Sequence, residues 1–176
     1  MHKFSFEFGK TDMFTAFGIR IRKKHLLLKA PLRERKMIIP GRSGAYDFGG
    51  NLYDEQQLFI ECDTIRELSA ADRRELAYLL SFKNKIRFWD EPDKYYVGRI
   101  FEPAEIEKVG GIGTYFPLTF TCEPFAYGKT ENLFFTNGTL SPEYKGTAET
   151  PTRIEIVNTG SSSVTGVQIT IRKRRV

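Results

Sequence analysis

From Tyr115 to Cys122 the chain alternates strictly, with Phe116, Leu118, Phe120 and Cys122 at one parity and Tyr115, Pro117, Thr119 and Thr121 at the other. A period of two over eight residues demands a strand with one buried and one wetter face, and it excludes a helix. The segment feeding this strand narrows the choice further. Ser69 stands at an N-cap position with Asp72 three residues on, the acidic form of a capping box, and Leu76, Leu79, Leu80 and Phe82 follow at helical spacing. This predicts a helix over Ala70 to Phe82, ended by Lys83-Asn84. Ile86 and Phe88 then share the face of a short strand, and Tyr95 to Glu102 is expected to pair with it across the turn Asp90 to Lys94. Glu105 to Val109 and Tyr115 to Cys122 form a hairpin around Gly110-Gly111-Ile112-Gly113.

The N-terminal half reads as mostly extended. Phe4, Phe6 and Phe8 alternate with Ser5 and Glu7, Gly9 to Asp12 turns the chain, and Phe17 to Lys24 places Ile19 and Ile21 opposite Arg20 and Arg22. Leu58, Ile60 and Cys62 mark a further strand over Gln57 to Cys62. Between them, Ile38 to Gly50 holds four glycines and a proline, which rules out a helix and makes a poor central strand. Long irregular segments inside a compact domain are usually functional. Pro40, Gly41, Arg42, Gly44, Tyr46 and Phe48 are therefore expected in an exposed arm or hairpin that contacts a neighbour. With 15 Phe and 8 Tyr, the chain is mainly β with one helix, an α+β fold.

Catalytic and cofactor chemistry finds little footing. His2 and His25 are the only histidines, and His25 lies between lysines and a leucine run. Asp90, Glu91 and Asp93 read as a solvated turn rather than a cation site. The triplets Gly9-Lys10-Thr11 and Gly128-Lys129-Thr130 lack the earlier glycine that a phosphate loop requires, since Phe4 and Glu123 stand there. No cofactor and no metal site is expected, and the chain does not read as an enzyme. Cys62 and Cys122, far apart and on apolar faces, are expected as reduced core thiols. The first residues contain no apolar core of a signal peptide, which suggests folding in a cytoplasm.

Arg172, Lys173, Arg174 and Arg175 carry nearly all of the net charge of +5, so the body is close to neutral and the case for nucleic-acid binding is weak. A basic group nonetheless stands in the first third: Arg20, Arg22, Lys23, Lys24, Arg33, Arg35 and Lys36. One reading is a solvated strand face; the other is a surface for an acidic protein or for passing DNA. After Gly128 the composition shifts to Thr, Glu, Asn, Gly and Pro. This divides the chain into a domain over 1–130, a linker over 131–152 and a β segment over 153–176, where Ile154 and Ile156 form one alternating pair and Val167, Ile169 and Ile171 another.

Four pieces in fixed order carry a resemblance: Pro40-Gly41-Arg42-Ser43-Gly44 before a strand, the helix Ala70 to Phe82, the strand pair Phe88-Trp89-Asp90 to Tyr95-Tyr96-Val97-Gly98-Arg99, and Phe120-Thr121-Cys122-Glu123-Pro124-Phe125-Ala126-Tyr127. In these the chain resembles the N-terminal domain of the distal tail proteins of long-tailed bacteriophages, the siphophages. The resemblance implies a β-sandwich-like ring domain with an extended arm. It also implies a hexameric ring in the virion tail tip that joins the tail tube to the baseplate and tip proteins, with a lumen for DNA. Partners would be further copies of the chain, the tube and tip proteins, and by extension the tape-measure and receptor-binding proteins; no membrane is involved. The family's second, galectin-like β domain would be represented only by its opening strands, from Tyr144 to Ile171. The reading from another class is a monomeric carbohydrate- or peptide-binding β-sandwich that uses Tyr46, Trp89, Tyr95 or Tyr96 as a stacking platform.

Overall fold

In the computed structural model the described residues are 2–50, 52–109, 113–134, 140, 143, 146–150, 152–166 and 168–170. They divide into two units, 1–136 and 137–176. The first is mainly β and antiparallel, with strands β1 (Phe6–Phe8), β2 (Thr11–Asp12), β3 (Ile19–His25), β4 (Lys36–Ile38), β5 (Ala45–Asp47), β6 (Gln56–Thr64), β7 (Asn84–Phe88), β8 (Tyr96–Arg99), β9 (Glu107–Val109) and β10 (Gly113–Cys122). Helix α1 (Met13–Phe17) lies between β2 and β3, and α2 (Ala70–Leu80) between β6 and β7.

The spine is the pairing of β10 with β6, in register from Tyr115 against Asp63 to Cys122 against Gln56. Alternation predicts which side chains turn inward, and Phe116, Leu118, Phe120 and Cys122 on β10 meet Leu58, Ile60 and Cys62 on β6, all buried. The main sheet runs β2-β1-β7-β8-β10-β6-β3, with β9 beside β10. Its last strand, β3, meets the segment that leads into β1, because Ile21 N–H donates to the Phe4 carbonyl at 2.7 Å and Ser5 Oγ donates to the Ile19 carbonyl at 2.9 Å. The inner face thus closes around Phe6, Phe8, Phe88, Phe120 and their neighbours. Both thiols are free and buried in this core, as expected.

The helix predicted at Ser69 forms as the capping box requires. Asp72 N–H donates to Ser69 Oγ at 3.1 Å, and Ser69 N–H donates to Asp72 Oδ2 at 2.9 Å. Leu76 is buried and Leu79 and Leu80 pack at the edge of the core. The helix stops two residues short of Phe82, whose ring is exposed and meets Tyr78 edge-on instead of entering the core.

Two features before β3 depart from the sequence reading. Residues Met13–Phe17, which carry no expectation beyond an extended segment beginning at Phe17, form a short helix capped by Asp12, whose Oδ1 accepts from Phe14 and Thr15 N–H at 3.0 Å each. It ends at Gly18 with φ +70°, where a side chain would also strike Ile65. Phe4 does not continue the alternation of Phe6 and Phe8. Its φ of +62° turns the ring out against Trp89, while the carbonyl serves the sheet closure.

In the unit 137–176 no strand forms among the described residues. Ile154 and Ile156 are exposed there, and a turn at Asn158 is fixed by its side chain, which accepts from Gly160 N–H and donates to the Ser162 carbonyl. Val167, Ile171 and the basic C-terminus lie outside the described residues, as does the hairpin tip 110–112. No helix among the described residues is long and apolar enough to cross a membrane.

Candidate assembly surface

Pro40-Gly41 is the local cause of a hairpin that stands apart from the main sheet. Arg42 N–H donates to the Ile39 carbonyl at 3.2 Å, and Gly41 has φ +81°. Proline at the second and glycine at the third position of such a turn is the type II pattern. The turn joins β4 to β5, which pair Lys36 with Asp47, Met37 with Tyr46 and Ile38 with Ala45. Below them the ribbon continues through Phe48 N–H to the Arg35 carbonyl, Arg33 N–H to the Leu52 carbonyl, and Asp54 N–H to the Pro31 carbonyl. Gly49 is required at its base, since a Cβ there would collide with the Arg33 carbonyl.

This hairpin holds the predicted arm residues Pro40, Gly41, Arg42, Gly44, Tyr46 and Phe48, all of them exposed. Its two faces are both apolar and both wet. Met37, Tyr46 and Phe48 share one parity, with the Tyr46 and Phe48 rings 4.5 Å apart and Arg42 over Tyr46 at 5.8 Å. Ile38, 80% exposed, lies on the other. An isolated two-stranded hairpin is marginal in water, and these side chains stay largely exposed and outside the core of the chain.

The basic group is largely neutralised in place. Arg20 grips Asp63 with two nitrogens at 3.1 and 2.9 Å, and Arg22 Nε reaches the same carboxylate at 3.1 Å. Lys23 faces Glu61 at 3.9 Å, Arg33 binds Asp54 at 2.7 Å, and Lys36 binds Glu34 at 3.0 Å. Lys24 turns inward: its side chain is 6% exposed and its ammonium meets Asp90. Arg35 and Arg42 have no carboxylate partner among the described residues. The group is therefore not one field of free positive charge, and its one member without a carboxylate partner among the described residues, Arg35, sits on the hairpin as Arg42 does.

Of the aromatic residues considered as a stacking platform, Tyr46 stands exposed on the hairpin, and the other three do not present one. Tyr96 is buried and donates to Glu91 Oε2 at 3.0 Å; burial and then Glu91 raise its pKa. Tyr95 stacks on Tyr127 at 5.7 Å beneath Lys85, and Trp89 is covered by Phe4 and Lys24. The carboxylates of the Asp90–Asp93 turn are held by Lys24, Tyr96 and Lys94. His25 packs on Phe59 near Glu61.

Sequence reasoning missed a second surface. Residues Ile100–Ile106 swing away from β10 and leave an apolar pocket of about 260 Å³ against α2. The signal was Pro117 in the middle of an otherwise central strand, where proline is tolerated only if its side of the ladder is open.

No family model matches the sequence, and no curated protein matches it. Among solved structures, the chain is similar to the crystal structure of the phage SPP1 Dit (gp 19.1) protein, described as a paradigm of the hub adsorption apparatus in phages infecting Gram-positive bacteria. The TM-score is 0.55 at 23% identity, over 71% of this chain and 52% of that one, so the chain spans about half the length of the structure it matches. The fold is Dit-like.

Proposed function

We propose that the chain is a structural, non-enzymatic subunit of a phage or prophage tail tip. Copies of it form a ring, expected to be hexameric, that joins the tail tube to the baseplate and tip proteins and leaves a passage for DNA. The observation that carries this reading is the Dit-like fold, matched over 71% of the chain. The hairpin adds a physical reason. A closed cyclic assembly needs a donor surface on each copy that differs from the acceptor surface on the next, and an exposed apolar ribbon gains stability only by burial against another chain. The paired state of Arg20, Arg22, Lys23, Arg33 and Lys36 suits a lumen that lets DNA pass without holding it, because unpaired cations would bind phosphates.

Light scattering followed by negative-stain imaging tests the proposal. Six-fold rings with six times the mass of the chain are the expected result. A monomer at every accessible concentration would overturn self-assembly as the mechanism.

A further inference from the structure

We infer that the hairpin of one copy is received on the next copy by the pocket between α2 and Ile100–Ile106. The inference rests on the ring reading above and names its acceptor. The pocket is lined by Leu76, Leu80, Ile100, Pro103, Ile106 and Phe116, a mostly apolar set.

The ladder explains why a pocket opens there. On one side β10 pairs with β6 along its length, but on the other β9 covers only Gly113–Tyr115 and β8 only Thr121–Cys122. Thr114 N–H points to the β6 side, where it donates to Thr64 Oγ1 at 3.0 Å. Glu123 N–H points to the β8 side, to the Val97 carbonyl at 2.9 Å. By alternation, Pro117 and Thr119 address the uncovered stretch. Pro117 has no N–H to leave unpaired, so the gap exposes one donor, Thr119 N–H, and two carbonyls, an edge that an incoming strand can use.

Charge selects the occupant. Glu102 lines the pocket beside Arg73, whose guanidinium is held by the Leu68 carbonyl, and exposed Glu105 and Glu107 follow in the same segment; these three carboxylates form no ion pair among the described residues. The hairpin offers the complement: Arg35 and Arg42 without carboxylate partners, next to exposed Met37, Ile38 and Ile39. Within one chain the two belong to different stretches of the strand order. The hairpin departs from β3 and β6, on one side of β10, whereas the pocket opens on the β8–β9 side. A donor and an acceptor on different parts of the surface are what a head-to-tail contact between copies requires.

Disulfide trapping tests this, since Cys62 and Cys122 are buried and stay silent. Ile39→Cys chains mixed with Ala104→Cys chains should give at least tenfold more covalent dimer than the same chains mixed with Ala16→Cys, an exposed position on α1. Ala104→Trp, which fills the pocket from an exposed site, should reduce assembly at least tenfold at unchanged melting temperature. Rings that form with equal trapping at Ala104 and Ala16, or that tolerate Ala104→Trp, would overturn the pocket and leave the ring. A monomer without trapping would overturn both.

Discussion

Lys24 Nζ lies 2.5 Å from Asp90 Oδ2 and 4.5 Å from the centre of the Phe88 ring, on the inner side of a strand whose alternation should have turned it outward. The cause is a bulge. Ile21 faces Cys62, Lys23 faces Glu61 and Lys24 faces Ile60, so Arg22 is the extra residue and every later side chain changes face. The displaced lysine then ties β3 to the β7–β8 turn across the closed end of the sheet.

Removing the two partners should have unequal effects. Asp90→Ala leaves an ammonium in a nearly buried site, which is the costly way to break such a pair. Asp90 itself is 36% exposed, so the loss falls between that of a buried and a surface pair, roughly 1–3 kcal/mol. Lys24→Met keeps the stem over Phe88 and Trp89 and deletes the charge, so it should cost less. Thermal melts of the two variants decide it; an Asp90→Ala protein as stable as Lys24→Met would show that the ammonium finds water.

Gly98 is demanded by a close approach, not by its backbone angles. A Cβ there would press into Cys122 Sγ and the Thr121 carbonyl. Gly98→Ala should destabilise by roughly 1–3 kcal/mol through overpacking. The same strain should expose Cys122. Burial pushes its thiol pKa up to about 12, so the native protein should resist alkylation at pH 8 and the variant should react faster.

These two sites show what the residue pattern could and could not convey. The faces of β6 and β10 and the cap of α2 were legible because each depends on neighbours a few positions away. The hairpin was legible from Pro40-Gly41 and the surrounding glycines. The inward turn of Lys24 was not, because a single bulge set by the pairing of β3 with β6 reverses the parity without altering composition. Asp12 was the overlooked cap of α1, a helix too short to show a period. The pocket arises from where β8 and β9 stop, and of that the sequence displays only Pro117.

Acid should destabilise the first unit through two carboxylates. Asp72 is held well below its ordinary value of 3.8 by the Arg66 guanidinium and then by Ser69, and Glu123 below its ordinary 4.5 by Lys83 and then by the Tyr127 hydroxyl. A pKa depressed on folding stabilises above the unfolded value and is lost as pH falls through the folded one. Stability should therefore decline from about pH 4.5 downward. In Asp72→Ala/Glu123→Gln the melting temperature should be lower at pH 7, and the gap to the parent should narrow steadily as the pH falls below about 4.5, closing only below the folded pKa of Asp72. A constant gap between the two proteins would assign the decline to other groups.

The hairpin separates folding from assembly. Arg33 to Asp54 is a ribbon with its own ladder, and its tip residues are exposed, so deleting Arg42 to Phe48 and closing the gap with a short turn removes no core contact. The melting temperature should stay within about 2 °C of the parent, since surface changes are usually within 0.5 kcal/mol. Arg42→Ala should leave it unchanged too. Both should lower the assembled fraction seen by light scattering, the deletion to monomer and Arg42→Ala by roughly the tenfold that 1–2 kcal/mol at an interface represents. Rings that persist after the deletion would mean that copies join through the edges of the main sheet, and that the hairpin serves a different partner.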